Sequence, residues 1–202
     1  MQTREKTKSL WVASARSQRF PALSADIRCD VVIIGAGIAG LSCAYELSAE
    51  GRSVALLDRF CVAGGVTSRT TAHLTPICDD TISEMIKLRG EEQSRRFYES
   101  QVCAVDRIET ICKERSISCN FRRLDGVLFP ALAMSRKDGN DQLDTEAEAA
   151  GKVGAPVAKH RGEEHVEADA TAVLGNGDGD VMPPSCAPSW VRALSRARGR
   201  RA

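Results

Sequence analysis

Residues 30–40 read Asp30-Val-Val-Ile-Ile-Gly-Ala-Gly-Ile-Ala-Gly40. The apolar part is a continuous β-branched run, which is typical of a strand buried on both faces of a parallel sheet. Residues Leu41 to Glu50 then carry apolar or small side chains at helical spacing, and Gly51 follows where a left-handed residue ends a helix. Ser53-Val-Ala-Leu-Leu-Asp58 indicates a second short strand. The sequence therefore predicts a strand–helix–strand unit with parallel strands and a right-handed crossover.

Three glycines stand between the first strand and the helix in the pattern Gly-x-Gly-x-x-Gly. Gly35 permits a tight turn, Gly37 lets the backbone approach a pyrophosphate, and Gly40 lets helix and strand pack closely. The helix N-terminus favours an anion, and Asp58 at the end of the second strand can accept both hydrogen bonds from an adenosine ribose. An acid there disfavours a 2′-phosphate, so NADP fits this pattern worst. The spacing predicts a dinucleotide site, and a glycine-rich turn without a ligand is the alternative.

Composition excludes several classes of function. The chain has 202 residues, of which 43% are hydrophobic and 27% charged, as expected for one globular domain with extensions. The net charge of +1 gives no electrostatic reason to expect nucleic acid as a partner. No apolar run approaches the ~20 residues of a membrane span, and no signal-peptide pattern follows the charged N-terminus. We therefore expect a cytoplasmic protein without a membrane span.

The cysteines and histidines suggest no metal centre. The eight cysteines are scattered without a Cys-x-x-Cys pair, so we interpret them as reduced thiols in small apolar sites, with Cys43 as a packing residue of the first helix. His160 and His165 flank two glutamates but lack a defined helical face. We expect no metal ligand in this chain.

The flanking regions are less regular. Residues 1–26 indicate an irregular lead-in, in which Trp11, Phe20 and Leu23 are the large apolar anchors. Residues 161–202 combine an acidic stretch with an arginine-rich end and show no core periodicity. We expect a loosely structured tail there, with a solvated basic end rather than a nucleic-acid surface.

The middle of the chain predicts further elements. Residues from Glu91 to Arg115 have the periodicity of a long amphipathic helix, with Phe97 and Val105 among its apolar positions. Asp125-Gly126 is a turn signal that separates two adjoining strands, for which a hairpin is one arrangement. Residues from Asp138 to Ala150 indicate a short acidic surface helix.

Residues 29–160 resemble the N-terminal part of the D-amino-acid oxidase or glycine oxidase-like (DAO) family of FAD-dependent oxidoreductases. Three blocks carry the resemblance, namely the glycine-rich stretch, Leu56-Leu-Asp-Arg59, and Gly64-Gly-Val-Thr-Ser-Arg-Thr-Thr-Ala-His-Leu-Thr75. The resemblance implies FAD as cofactor and an α/β fold, with an incomplete Rossmann-like parallel sheet in three layers over residues 27–160 and the start of a second subregion. It also implies an amine or amino acid as substrate, from which hydride is transferred to the flavin.

In such enzymes the third block passes along the pyrophosphate and the flavin ring. The resemblance thus implies this set of cofactor-binding residues: Gly35, Ala36, Gly37, Ile38, Ala39, Gly40, Asp58, Arg59, Thr67, Ser68, Thr70, Thr71 and Ala72. Some amine-oxidising relatives attach the flavin through a histidine in a similar loop, but we expect His73 to be a hydrogen-bonding loop residue without a covalent link. The Thr-Thr-Ala-His-Leu-Thr form is similar to relatives with a C-terminal Rieske domain, although this sequence has no Rieske ligand pattern.

The sequence also departs from the family pattern. Family members need a C-terminal half that supplies a substrate-binding sheet and a second segment against the flavin, and this chain stops before it. The tail after about His160 differs from the family in composition, as expected after truncation or a frameshift. No catalytic residue can be assigned. We expect an FAD-dependent oxidoreductase of amines or amino acids that is truncated and inactive as this chain; the alternative is a non-catalytic dinucleotide-binding fragment or an inactive gene product. The substrate, the electron acceptor and the oligomeric state do not follow from the sequence.

Overall fold

A computed structural model describes residues 8–14, 20–78, 80–131, 133–159 and 166–174. These residues form two compact units. The first unit contains residues 8–14, 20–72 and 115–120 of the described chain, and the second contains the described residues of His73–Glu114 and Phe121–Leu174.

The first unit is the predicted strand–helix–strand unit with a short helix before it. Its elements are α1 (Leu10–Ser14), β1 (Val31–Ile34), α2 (Ile38–Ala49), β2 (Val54–Leu57) and a 3-10 helix over Val66–Arg69. β1 and β2 pair in parallel, with Val31 opposite Val54 and Ile34 opposite Leu57. Gly51 has a φ of +83°, the left-handed conformation expected at the end of α2. The parallel α/β architecture predicted from residues 30–58 is confirmed.

Burial of β1 differs from the prediction. Val32 is 55% exposed and Ile34 is 86% exposed, whereas Val31 and Ile33 are half-buried. α2 packs against β1 and β2, and alternate side chains of a strand point to opposite faces of its sheet. The expectation that both faces are buried is therefore wrong for the described part of the chain, in which one face of β1 is open.

The second unit combines three helices with an antiparallel sheet. Its elements are β3 (His73–Leu74), α3 (Ile82–Arg89), α4 (Glu91–Glu114), β4 (Phe121–Leu128), α5 (Arg136–Val153), β5 (Val157–Lys159) and β6 (Val166–Leu174). β6 pairs antiparallel with β3, β4 and β5. The three helices pack against one another. Ile82, Tyr98, Ala149, Ala150, Val153 and Ala155 form the core.

The helices of this unit are only partly as predicted. α4 confirms the long amphipathic helix, and Val105 is buried in it, but Phe97 is 37% exposed. α5 is longer than the predicted surface helix and belongs to the core, since Leu143 and Val153 are each 1% exposed. Apolar residues three or four apart set this buried face, which the abundance of acids in the sequence obscured.

The strands depart further from the predictions. Residues 121–128 form the single strand β4, and Asp125-Gly126 coincides with a shift of register against β6 instead of a hairpin turn. β6 itself lies in the tail for which no regular structure was expected, so that expectation is wrong for residues 166–174. Their sequence, Val-Glu-Ala-Asp-Ala-Thr-Ala-Val-Leu, alternates apolar and polar residues over most of its length, a strand signal hidden by its acidic composition. His160, His165 and residues 175–202 lie outside the described residues.

The cysteines are only partly placed as predicted. None of the seven described cysteines forms a disulfide; Cys112 and Cys119 are buried, while four others including Cys43 are exposed. The packing role predicted for Cys43 is wrong because the buried face of α2 is formed by Leu41, Ala44 and Tyr45.

Among the residues that the structure describes, no helix combines the length and the apolar character needed to cross a membrane.

Candidate cofactor site

The turn between β1 and α2 and the first turn of α2 each require a glycine, for different reasons. Gly35 has a φ of +104°, a conformation that side chains rarely adopt, and its N–H donates to the carbonyl oxygen of Leu57 at 2.7 Å. A Cβ at Gly40 would lie 1.9 Å from the carbonyl oxygen of Gly35 and 3.3 Å from Cγ2 of Ile33. The first helical turn therefore lies directly against the loop and β1, which is the close packing that the glycine spacing predicts.

Thr67 lies at the N-terminus of α2. Its Oγ1 accepts a hydrogen bond from the N–H of Ile38 at 3.0 Å, one of the N–H groups that a helix leaves without an internal partner. A Cβ at Gly37 would lie 3.3 Å from the same hydroxyl oxygen. The structure thus brings Thr67 next to the glycine-rich turn, at the place where an anion would bind.

Asp58 links the end of β2 to the same turn. Its Oδ2 accepts from the N–H of Ala36 at 2.8 Å, and its Oδ1 accepts from the N–H of Phe60 at 2.8 Å. These two hydrogen bonds, with the nearby charge of Arg59, hold the pKa of Asp58 below its ordinary value of 3.8. The side chain is exposed and ionised at neutral pH, and a carboxylate has capacity to accept further hydrogen bonds. The bond to Ala36 was not predicted, although the position of Asp58 at the strand end is its sequence signal.

The loop after Asp58 folds back on the turn and on itself. The guanidinium of Arg59 lies 4.6 Å from the centre of the Phe60 ring. The N–H of Ala63 donates to the carbonyl oxygen of Ala36 at 2.8 Å, which ties the loop to the glycine-rich turn. The hydroxyl of Ser68 donates to the carbonyl oxygen of Gly65 at 2.8 Å, so this hydrogen bond stabilises a turn within the loop.

The end of this loop is conformationally unusual. Ala72 has a φ of +61° and is 4% exposed, and its N–H donates to Oγ1 of Thr70 at 3.1 Å. Thr70 and Thr71 are exposed and can offer polar atoms to a ligand, whereas the methyl group of Ala72 is enclosed by protein. His73 is exposed and begins β3, opposite Val173. The roles predicted for these residues toward the flavin stay predictions.

The arrangement suits a dinucleotide. It combines the N-terminus of α2, a turn without side chains at Gly35 and Gly37, and an exposed ionised carboxylate at the end of β2. No group of three or more His, Cys, Asp or Glu side chains that could hold a metal ion occurs among the described residues. The helix N-terminus can bind an anion, and the carboxylate can accept hydrogen bonds from hydroxyl groups.

Comparisons with known proteins point to one protein family. The profile of the DAO family, described as FAD dependent oxidoreductase, matches residues 30–200. Bacillus subtilis YhfW, provisionally named as a Rieske 2Fe-2S iron-sulfur protein, is 36% identical over 151 residues, which cover 75% of this chain and 29% of YhfW. The gamma-glutamylputrescine oxidoreductase of Escherichia coli is 30% identical over 129 residues, which cover 63% of this chain and 30% of that enzyme.

Similarity to solved structures concerns the fold. The L-amino acid deaminase of Proteus myxofaciens superposes with a TM-score of 0.60 at 17% identity, over 95% of this chain and 40% of the deaminase. The chain thus spans less than a third of the length of the two curated relatives and less than half of this structural neighbour. Because the family profile matches most of the sequence, the chain belongs to the DAO family of FAD-dependent oxidoreductases.

Proposed function

We propose that this chain forms the FAD-binding part of an oxidoreductase that acts on amines or amino acids. The observation that carries the proposal is the exposed, ionised Asp58, which is joined to the glycine-rich turn by the hydrogen bond from Ala36. A carboxylate in this position can accept the two ribose hydroxyls while the adjoining helix N-terminus faces the pyrophosphate. The family's cofactor, FAD, contains both groups.

Each part of the site has a separate task in this proposal. The first turn of α2 and the backbone around Gly37 bind the pyrophosphate, and Asp58 orients the adenosine ribose. Thr70 and Thr71 offer hydroxyls and N–H groups to the flavin end of the cofactor. FAD, when bound, supplies the electron sink for removal of hydride from a carbon next to nitrogen. The proposed cofactor domain, residues 27–160, contains all of these residues.

The substrate class rests on the relatives. One is named for gamma-glutamylputrescine and another for L-amino acids, so the shared chemistry is a carbon that bears an amine nitrogen. We also propose a cytoplasmic location, because four of the described cysteines are exposed free thiols, which are typical of a reducing compartment.

A second candidate is binding without turnover by these 202 residues expressed alone. It is favoured by how little of its curated relatives the chain covers, namely 29% of YhfW and 30% of gamma-glutamylputrescine oxidoreductase. Hydride transfer benefits from a site that encloses both sides of the flavin and excludes water. A protein three times as long can supply both walls, so we expect the separate chain to bind FAD and to leave amines unoxidised.

FAD titration of matched variants tests the proposal. Asp58→Asn removes the charge but keeps the size of the side chain, and Asp125→Asn makes the same change at an exposed position of β4. We expect Asp58→Asn to raise the Kd for FAD by about tenfold or more, the value of a hydrogen bond to a charged group, and Asp125→Asn to leave it unchanged. Gly37→Val should abolish binding. Equal FAD affinity in the wild type and Asp58→Asn would contradict the proposed site.

A further inference from the structure

The N-terminal lead-in is attached to the cofactor loop by two side chains. The indole Nε1 of Trp11 donates to the carbonyl oxygen of Thr70 at 2.5 Å, and the hydroxyl of Ser9 donates to the carbonyl oxygen of Ser68 at 2.5 Å. Both acceptors belong to the backbone of the loop proposed to face the flavin. These contacts connect residues 59 positions apart, so they are tertiary contacts and not local turns.

Burial singles out Trp11 within the lead-in. Its side chain is 7% exposed, whereas Phe20 is 51% and Leu23 is 57% exposed. On the same helix, α1, Val12 is 51% exposed. Of the three predicted anchors, Trp11 is the one that is buried, and its indole N–H forms a hydrogen bond with the loop.

The loop needs such an external contact. Ala63 and Ala72 have φ values of +57° and +61°, which residues other than glycine rarely adopt. Conformations of this kind persist where the surrounding structure fixes them. Within the loop, the carbonyl of Gly65 accepts from the N–H and the hydroxyl of Ser68. The carbonyls of Ser68 and Thr70 accept hydrogen bonds from Ser9 and Trp11 instead.

We propose that Ser9 and Trp11 are positioning residues of the cofactor site, which hold the backbone of residues 68–72 in the conformation that receives the flavin. The inference deepens the proposed function and rests on it for the identity of the ligand. It assigns a role to the lead-in, which lies before the stretch matched by the family profile. Trp11 and Ser9 act through the loop and need no contact with FAD.

Hydrogen exchange of the chain without FAD tests the positioning step directly. Trp11→Phe keeps an aromatic ring and removes the N–H donor, Ser9→Ala removes the second donor, and Val12→Ala is the control on the exposed side of α1. We expect amides of residues 68–72 to exchange about three- to tenfold faster in Trp11→Phe and Ser9→Ala, which corresponds to one lost hydrogen bond each. Val12→Ala should exchange like the wild type.

FAD binding then tests the functional consequence. The Kd for FAD should rise about three- to tenfold in Trp11→Phe and Ser9→Ala, with a changed visible circular dichroism of the bound flavin, and Val12→Ala should match the wild type. Unchanged exchange in both donor variants would overturn the inference, as would faster exchange with unaltered FAD affinity and spectrum. Failure of the wild type to bind FAD would instead refute the proposed function, and the exchange rates measured without FAD would still decide whether the two side chains hold the loop.

Discussion

Replacing Gly40 by alanine is the substitution for which the structure gives the clearest magnitude. The added Cβ would lie 1.9 Å from the carbonyl oxygen of Gly35, and real Cβ contacts are essentially never shorter than 3.0 Å. The helix and the turn must therefore separate by about 1 Å, since both are backbone and neither can rotate away. Overpacking of this kind costs about 1–3 kcal/mol or more, which exceeds the gain of about 1 kcal/mol in helix propensity.

Gly151 provides the matched control because it is also helical. A Cβ at this position of α5 would meet no atom within 4 Å. Gly151→Ala should therefore raise the free energy of unfolding by up to about 1 kcal/mol through propensity alone. Urea unfolding followed by circular dichroism, together with FAD titration, measures both variants. A Gly40→Ala variant that is as stable as the wild type and binds FAD equally well would show that the close packing of α2 on the turn is not required.

The remaining predictions concern charge, capping, the flavin linkage and turnover. Because the pKa of Asp58 is lowered in the folded chain, its contribution to stability is present at neutral pH and is lost as the pH falls below about 3.8. The urea midpoint should therefore fall more between pH 7 and pH 3 in the wild type than in Asp58→Asn. Equal falls in the two proteins would contradict this. Glu146 is 7% exposed and accepts from the N–H of Ser83 at the start of α3, so Glu146→Ala should lower the free energy of unfolding by about 1–2 kcal/mol. Glu148→Ala, on the exposed side of the same helix, should change it by less than about 0.5 kcal/mol, and similar losses in the two would refute the capping role. Any flavin bound should be released by acid precipitation, and yellow colour that stays on the polypeptide but disappears in His73→Ala would show covalent attachment. The chain expressed alone should not bleach bound FAD anaerobically with secondary amines, glycine or D-amino acids, and bleaching well above a buffer blank would show a complete enzyme.

Local signals in the sequence were sufficient for the strand–helix–strand part of the first unit. The β-branched run of β1, the three glycines and Asp58 each constrain a backbone conformation or a contact within about 30 residues, so the pattern and the structure coincide. The same local character explains α4, whose apolar periodicity extends over 24 residues. Tertiary packing is not required to recognise these elements.

The errors occur where distant contacts decide the structure. Asp125-Gly126 is a turn signal in isolation, but pairing with β6, about 40 residues further along the chain, keeps β4 continuous. The exposure of Ile34 depends on what packs against the second face of β1, which the sequence of β1 does not encode. Similarly, the hydrogen bond from Trp11 to Thr70 joins two segments whose sequences show no sign of each other.

The visible absorption spectrum of the purified 202-residue chain, after incubation with FAD and gel filtration, tests directly whether the chain binds FAD through Asp58. We expect FAD to elute with the protein at about one per chain, Asp58→Asn to retain far less of it, and Asp125→Asn to retain as much as the wild type. A folded wild-type chain that elutes without flavin, or an Asp58→Asn variant that retains as much flavin as the wild type, would contradict it.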